Sequence, residues 1–522
     1  MVPRRYLLAG IAASLARPSL AQPAAARVLR FVPQAAYSTP DPVWTTAIVV
    51  QTHAFMVYDT LYGVDLALTP QPQMCAGHEV SPDGLTWIFT LRDGLLFHDD
   101  HPVRAADAVA SIRRWAERDT FGQRLIPLTA ELAALDDHRF RFRLTQPFPR
   151  MLYALGEQNC FIMPERIALA PASQPITEFI GSGHYRFVPD EWVSGARAIY
   201  ARFERYLPRP EPPEFLAGGK ITHFDRVEWI IQPDPGTAAS ALQAGEVDWI
   251  DQPLFDLVPK LKAASGIVVD QLDQFGLIGI ICLNHLHPPF NNPKLREALL
   301  PAIDQREFIA AVLGDQASYA RLPVGYFTAG SPMASAAGMD ALTGPRDFAR
   351  AKRLVAESGY AGEPIVLMSP SDQPQMYAMA ELTRDVFTRI GLDVRTSTLD
   401  WGTLLTRRAS TKPPRDGGWN AFNTRLTGLG SLNPTSIQLR GNGLKAWFGW
   451  PTEPELERSR ERWFQAPDLA AQQQAAAAMQ QAAFRSVPYV PLGQWSQPTA
   501  YRSNLTGFVK GANPLFWGVR RV

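Results

Sequence analysis

Cysteine is scarce in this 522-residue chain. Cys75, Cys160 and Cys282 are odd in number and widely spaced, and none belongs to a C-x-x-C pair. A thiol-rich zinc site and a redox motif are therefore unsupported; one disulfide stays open as an alternative to the expected state, buried free thiols. Charge of one sign is also missing. Lys and Arg total 51 against 50 Asp and Glu, with no basic stripe, so nucleic acid is not expected as a partner. No segment reaches the ~20 apolar residues that a membrane-spanning helix needs. Residues 277–283 are fully apolar but short, which reads as a buried strand. G-x-S-x-G, H-E-x-x-H and G-x-x-x-x-G-K-[ST] are absent, as is a G-x-G-x-x-G after a strand, and no spacing suggests a nucleophile–base–orienter set. The chain is expected not to be an enzyme, and no cofactor is expected.

What is present describes a large, loop-rich globular protein. Hydrophobic residues make up 46% and charged residues 19%, and there are 45 Pro and 13 Trp. At this length two or three domains are expected. The N-terminus reads as an export signal over residues 1–21: Arg4-Arg5, an apolar run to Ala16, then the small-residue site Ser19-Leu20-Ala21. The twin Arg leaves Sec and Tat routes both open. No Cys stands at the cleavage site, which disfavours a lipid anchor and points to a free periplasmic protein.

Residues 82–115 carry the most information. After the turn Pro82-Asp83-Gly84, Leu85, Trp87, Phe89 and Leu91 alternate with Thr86, Ile88, Thr90 and Arg92, a half-buried strand. A second turn, Asp93-Gly94, leads to Phe97-His98. Ala105, Val109, Ile112 and Ala116 then fall at helical spacing, with Asp107 in the first turn, where the helix dipole favours an anion. The residue types at Asp83, Gly84, Trp87, Phe89, Leu91, Arg92, Gly94, Phe97, His98, Pro102, Ala105, Asp107, Ser111 and Arg114 match a long ordered signature. The segment resembles that of family 5 solute-binding proteins, the dipeptide-, oligopeptide- and nickel-binding receptors of bacterial ABC importers. Asp100 departs from the usual Gly, and Arg104 from the usual helix-capping Thr. The resemblance implies that His98 is a structural residue of this turn, with catalysis the lesser alternative.

Further matches follow: Gly181-Ser182-Gly183-His184-Tyr185, then A-L-Q-A-G-E-V-D over 241–248, and Asn284 through Arg306 with a Gln305 insertion. Helices are expected over 45–61, 346–358, 375–390 and 470–483, and strands over 28–32, 136–144, 227–231, 245–250, 365–368 and 392–396. Strands alternating with helices indicate α/β lobes. With the resemblance they imply a two-lobed periplasmic binding protein fold that closes about a hinge. Lobe I would take 22–272, with an accessory subdomain over about 60–180; lobe II would take 273–489, and 490–522 would return to lobe I. The two crossings would lie near 272–276 and 487–490.

The candidate ligand-binding residues are Tyr37, Trp401, Trp419, Arg425 and Trp495, aromatics and a cation near the expected cleft, although any of the tryptophans can equally pack in a core. Peptide receptors of the family hold the ligand's ammonium with an Asp in a motif resembling G-W-x-x-D-x-x-D-P. The corresponding stretch here, residues 425–434, has Leu, Gly or Asn at both acidic positions. A free-amine peptide is thus disfavoured, and Arg425 suggests an acidic group on a peptide-like or amine-blocked solute. A metal-chelate receptor and a secreted hydrolase on the same scaffold are the alternatives. The pair His285-x-His287 is expected to be structural, and no metal site is assigned. The expected partners are the solute and an inner-membrane ABC permease with its ATPase, with the receptor a monomer.

Overall fold

The computed structural model describes residues 27–522 apart from 38, 157 and 158. The export signal expected over 1–21 lies outside the described residues. Two mixed sheets dominate. The first has seven strands and includes Tyr185–Phe187, Arg197–Arg202, Arg226–Ile230, Val28–Val32, Trp249–Ile250, Thr499–Arg502 and Ile267–Asp270, in that spatial order. The second has six, in the order Ala320–Arg321, Tyr489–Trp495, Leu277–Leu283, Ala421–Thr427, Ile365–Pro370 and Val394–Leu399. Helix Pro374–Arg389 links the parallel neighbours Ile365–Pro370 and Val394–Leu399, and helix Pro235–Ala244 links Arg226–Ile230 to Trp249–Ile250, which flank Val28–Val32 in parallel, the connection that parallel pairing requires.

The chain passes between the sheets at 271–276 and again at 496–498. The strand expected to return to lobe I at 490 instead pairs along its length with Leu277–Leu283 in the second sheet. Every residue of Tyr489–Trp495 is buried, and an apolar run covered on both faces does not specify which sheet it joins.

An accessory four-stranded antiparallel sheet orders Cys75–Val80, Thr86–Leu91, Arg139–Leu144 and Thr129–Ala134. The alternation read from the sequence is realised, with Trp87, Phe89 and Leu91 inward. Helix Ala105–Ala116 follows, and Arg104 N–H donates to Asp107 Oδ2 at 2.7 Å, so Asp107 supplies the capping acceptor that Arg104 cannot. Asp100, standing for Gly, takes φ +67°, a left-handed conformation that Asp tolerates better than most residues. His98 is structural in its contacts: its Nδ1 accepts from Gly181 N–H at 3.3 Å and its Nε2–H donates to Gly183 O at 2.9 Å, tying the signature turn to the Gly-Ser-Gly loop. The helix expected over 45–61 is shorter, Ile48–Val57, because Asp59–Thr60 is drawn into a strand pair with Phe161–Ile162. All three thiols are free and buried.

The signature arginine Arg114 forms a buried ion pair. Its guanidinium meets both oxygens of Asp41, at 2.7 and 3.2 Å, and donates to the Ala170 and Gln174 carbonyls. Asp41 also accepts from the N–H groups of Val43 and Ile176. The loop that follows the first strand is thereby pinned to the signature helix. Arg114→Met should leave the Asp41 charge unpaired in a site where neither group is exposed, costing about 3–5 kcal/mol, whereas the double variant with Asp41→Leu should recover most of that loss. Chemical denaturation of the three variants measures both.

Candidate functional site

Between the sheets lies a cleft of about 700 Å³. It sits at the carboxyl ends of parallel strands in both lobes, the place where open α/β sheets offer a crevice. From lobe I come the loop after Val28–Val32, the start of helix Pro235–Ala244 and residues 250–254. From lobe II come the start of helix Pro374–Arg389, helix Trp401–Arg407 and Arg425 of strand Ala421–Thr427. Helices of ten and sixteen residues therefore direct their N-terminal ends at one space, which favours negative charge there.

Three of the five sequence candidates line this cleft: Tyr37, Trp401 and Arg425. Tyr37 stacks on Trp192 and shares a 2.9 Å hydrogen bond with the Tyr200 hydroxyl, so its polar end is spent inside lobe I and its ring forms wall. Trp401 opens its helix, and its N–H donates to Asp372 Oδ1 at 2.8 Å.

Trp419 and Trp495 are corrections. Both are fully buried and neither lines the cleft. Trp419 packs on Phe422 and Trp450 and donates to Arg408 O at 3.1 Å. Trp495 ends strand Tyr489–Trp495, its indole N–H reaching Gln497 Oε1 at 3.2 Å. A strand covered on both faces buries its aromatics wherever they fall, and sequence alone does not distinguish such a position from a cleft wall.

Arg425 joins the lobes. Its guanidinium donates to Gln375 of lobe II and to Gln34 of lobe I. Burial lowers its pKa to about 10, while the Asp251 carboxylate of lobe I opposes that shift. Both glutamines escaped the sequence reading, since an isolated Gln in a loop carries no signal of its own. The carboxylates that border the cleft are already engaged. Asp400 accepts from Thr403 N–H at 2.9 Å and from its hydroxyl at 2.6 Å, and Asp372 holds Trp401. The 425–434 segment brings no acid, as its sequence requires. His285 and His287 each contact a backbone carbonyl, of Pro488 and Thr411. Among the described residues no three His, Cys, Asp or Glu side chains come together as a metal site.

The sequence profile of bacterial extracellular solute-binding proteins, family 5 (middle), matches residues 69–438. The chain belongs to that family. Family 5 proteins are solute-binding components of ABC importers, acting in the periplasm with a membrane permease and its ATPase. The chain is 37% identical over 484 residues to a probable peptide ABC transporter periplasmic-binding protein, y4tO, of Sinorhizobium fredii, with 92% of this chain and 91% of the relative covered. It is 23% identical over 486 residues to the glutathione-binding protein GsiB of Escherichia coli, with 90% of each covered. Its fold is that of AgaA from A. tumefaciens R10, solved with agropinic acid (TM-score 0.79, 20% identity, 95% of this chain and 99% of that one). It is also that of DppA from Helicobacter pylori, solved with the peptide STSA (TM-score 0.78, 21% identity, 95% and 98%). The family 5 resemblance, the two-lobed fold and the receptor function read from the sequence are borne out.

Asp251 lies behind Arg425, only 7% exposed. Burial pushes its pKa from the ordinary 3.8 to about 7; Arg425 and a hydrogen bond from the Gln34 backbone pull it down, and Asp273 adds to the rise. With the folded value above the unfolded one, the folded state binds the proton more tightly. Its contribution to stability is therefore complete below the unfolded value and is lost as pH rises through about 7. Asp251→Asn should be more stable than the parent protein at pH 8, by about 1–3 kcal/mol, and the two should converge near pH 4. Denaturation at several pH values tests the sign.

Proposed function

We propose that this family 5 receptor captures a peptide-like solute that carries an acidic group and lacks a free ammonium, burying it between the lobes with Arg425 as the anchor for the acid. The single observation that carries the reading is Arg425 itself. It is a half-buried cation in the cleft, held by two neutral glutamines, one from each lobe, with no carboxylate within ion-pairing distance among the described residues. Near pH 7 the Asp251 carboxyl is about half protonated, so its compensation of Arg425 is incomplete. The two helix N-termini add to the preference for an anion. The acids bordering the cleft serve as caps and backbone acceptors, which leaves no ready partner for an ammonium. The name of the Sinorhizobium relative supports a peptide-like solute.

The mature protein would begin after Ala21, exported by Sec or Tat, and would act as a monomeric receptor without catalytic activity, delivering solute to its permease. Tyr37 and Trp401 would supply the apolar walls. Closure would be driven by a ligand that touches both lobes, since only differential affinity for the closed form shifts the balance.

Thermal-shift measurement against N-acetylated acidic dipeptides, free-amine di- and tripeptides, and nickel–histidine chelates tests the reading. Ligand at a hundred times its Kd stabilises by about 2.7 kcal/mol, a readily measured shift. The blocked acids should shift the transition, and Arg425→Gln should weaken their binding by about tenfold or more. Shifts with free-amine peptides alone would overturn it.

A further inference from the structure

Beyond Arg425 the interlobe space continues. A small chamber of about 110 Å³ shares Gln34, Trp401 and Arg425 with the main cleft. It in turn shares Arg408 and Trp447 with a third chamber of about 880 Å³, also walled by both lobes. Arg408 thus stands at the junction of the second and third spaces.

Its surroundings are unusual for a buried cation. Arg408 is 4% exposed, and its Nε has no hydrogen-bond partner. Among the described residues no carboxylate pairs with it and no side chain or carbonyl accepts from its guanidinium. The plane of the guanidinium is instead supported by aromatic rings, 4.3 Å from the Phe448 centroid and 5.6 Å from that of Trp447. The preceding residue provides the contrast. Arg407 spends its donors on Ser397 Oγ and on the carbonyls of Gly417 and Gly418, all between 2.8 and 3.0 Å. One arginine of the pair is a structural clasp; the other is oriented, desolvated and unsatisfied. Arg440, 6% exposed, lines the same outer chamber and donates to Gln123. Asp119 borders the small chamber, but it is occupied as the cap of helix Thr120–Leu125, accepting from Phe121 N–H at 2.8 Å and Gly122 N–H at 3.4 Å.

We infer that Arg408 is a second anion subsite, so that the solute carries two acidic groups, one on Arg425 and one on Arg408. The inference rests on the reading of Arg425 above and extends it from an acid to a diacid. A buried cation without a counter-ion is strongly unfavourable, and aromatic faces offset only part of that cost. A carboxylate from the ligand would supply the missing partner with two parallel N–H···O bonds. Trp419, through its indole bond to the Arg408 carbonyl, is the positioning residue that holds the end of this helix in place.

The test uses calorimetric titration of the mature protein with N-acetyl-Ala-Asp and N-acetyl-Ala-Glu, each against its monoacid isostere, N-acetyl-Ala-Asn and N-acetyl-Ala-Gln, which keeps only the C-terminal carboxylate. Two side-chain lengths sample two anion spacings. The parent protein should bind at least one diacid about tenfold more tightly than its isostere. In Arg408→Gln that preference should collapse to within about twofold, while affinity for the monoacid isostere is kept. Arg408→Lys should retain part of the preference. The ligand-free melting temperature separates function from structure: Arg408→Gln should melt at or above the parent protein, because an uncompensated buried charge has been removed. A diacid bound no better than its isostere, a preference that survives Arg408→Gln, or a clear fall in melting temperature would each overturn the inference and leave the Arg425 reading standing. If no acetylated probe binds the parent protein, the Arg425 reading fails and this one with it.

Discussion

The position of Arg425 depends on the register of one strand. Leu277–Leu283 pairs on one side with Ala421–Thr427 and on the other with Tyr489–Trp495, and it places Gly279 opposite Arg425. Directly opposed residues share a face of the sheet, so a slip of one residue would turn the guanidinium to the other side. The absence of a side chain at Gly279 matters here, because a Cβ would lie 2.7 Å from Met379 Sδ on helix Pro374–Arg389. That helix packs against the same face and offers Gln375 to Arg425. The passages between lobes begin at the ends of this trio of strands. Gly276 takes φ +73°, and a Cβ there would sit 2.4 Å from Trp495 O, so the two crossings run in backbone contact. Gln494 Nε2 donates to Phe275 O at 2.6 Å across the same gap. Strand register, hinge and the proposed ligand anchor are therefore one construction.

The buried cations fall into two groups by what surrounds them. Arg114 meets Asp41 and Lys220 meets Asp59 at 2.7 Å, each in full burial, and these pairs hold the accessory region to lobe I. A pair of this kind is self-sufficient and its members cannot easily be removed singly. Buried Arg408 and half-buried Arg425 have no such partner, and both lie where the lobes face each other. Stability is conceded at the interface between lobes and secured within them. That distribution suits a receptor whose closing surfaces must change partners while each lobe stays rigid.

Much of the architecture was legible in the sequence because period and punctuation agreed. The alternation around Trp87 and Phe89 and the helical spacing from Ala105 to Ala116 appear as read. The return to lobe I was misplaced because Tyr489–Trp495, apolar but for Gln494 and buried along its whole length, carries no mark of which sheet it completes. Trp419 and Trp495 were misread for a related reason. Composition identifies an aromatic as large and apolar, but only the packing decides whether its neighbours are side chains or a void. The glutamines at 34 and 375 and the unpaired state of Arg408 were not legible at all. Their meaning depends on residues hundreds of positions away, or on partners that are missing.

Arg425 already spans the lobes through Gln34 and Gln375, so an acid entering the cleft competes with bonds that help hold the lobes together. On the proposed reading it would win on charge, since a carboxylate accepts from a guanidinium roughly twice as strongly as a neutral amide oxygen does. The displaced glutamines then need partners of their own, and a peptide-like ligand offers backbone N–H groups to both amide oxygens. Gln34 belongs to lobe I and Gln375 to lobe II, so a ligand that satisfies both must touch both walls. The glutamine clasp thus ties recognition of the acid to recognition of the backbone beside it. A simple inorganic anion would break the clasp and return nothing to the glutamines, and the fold disfavours such an occupant on these grounds alone.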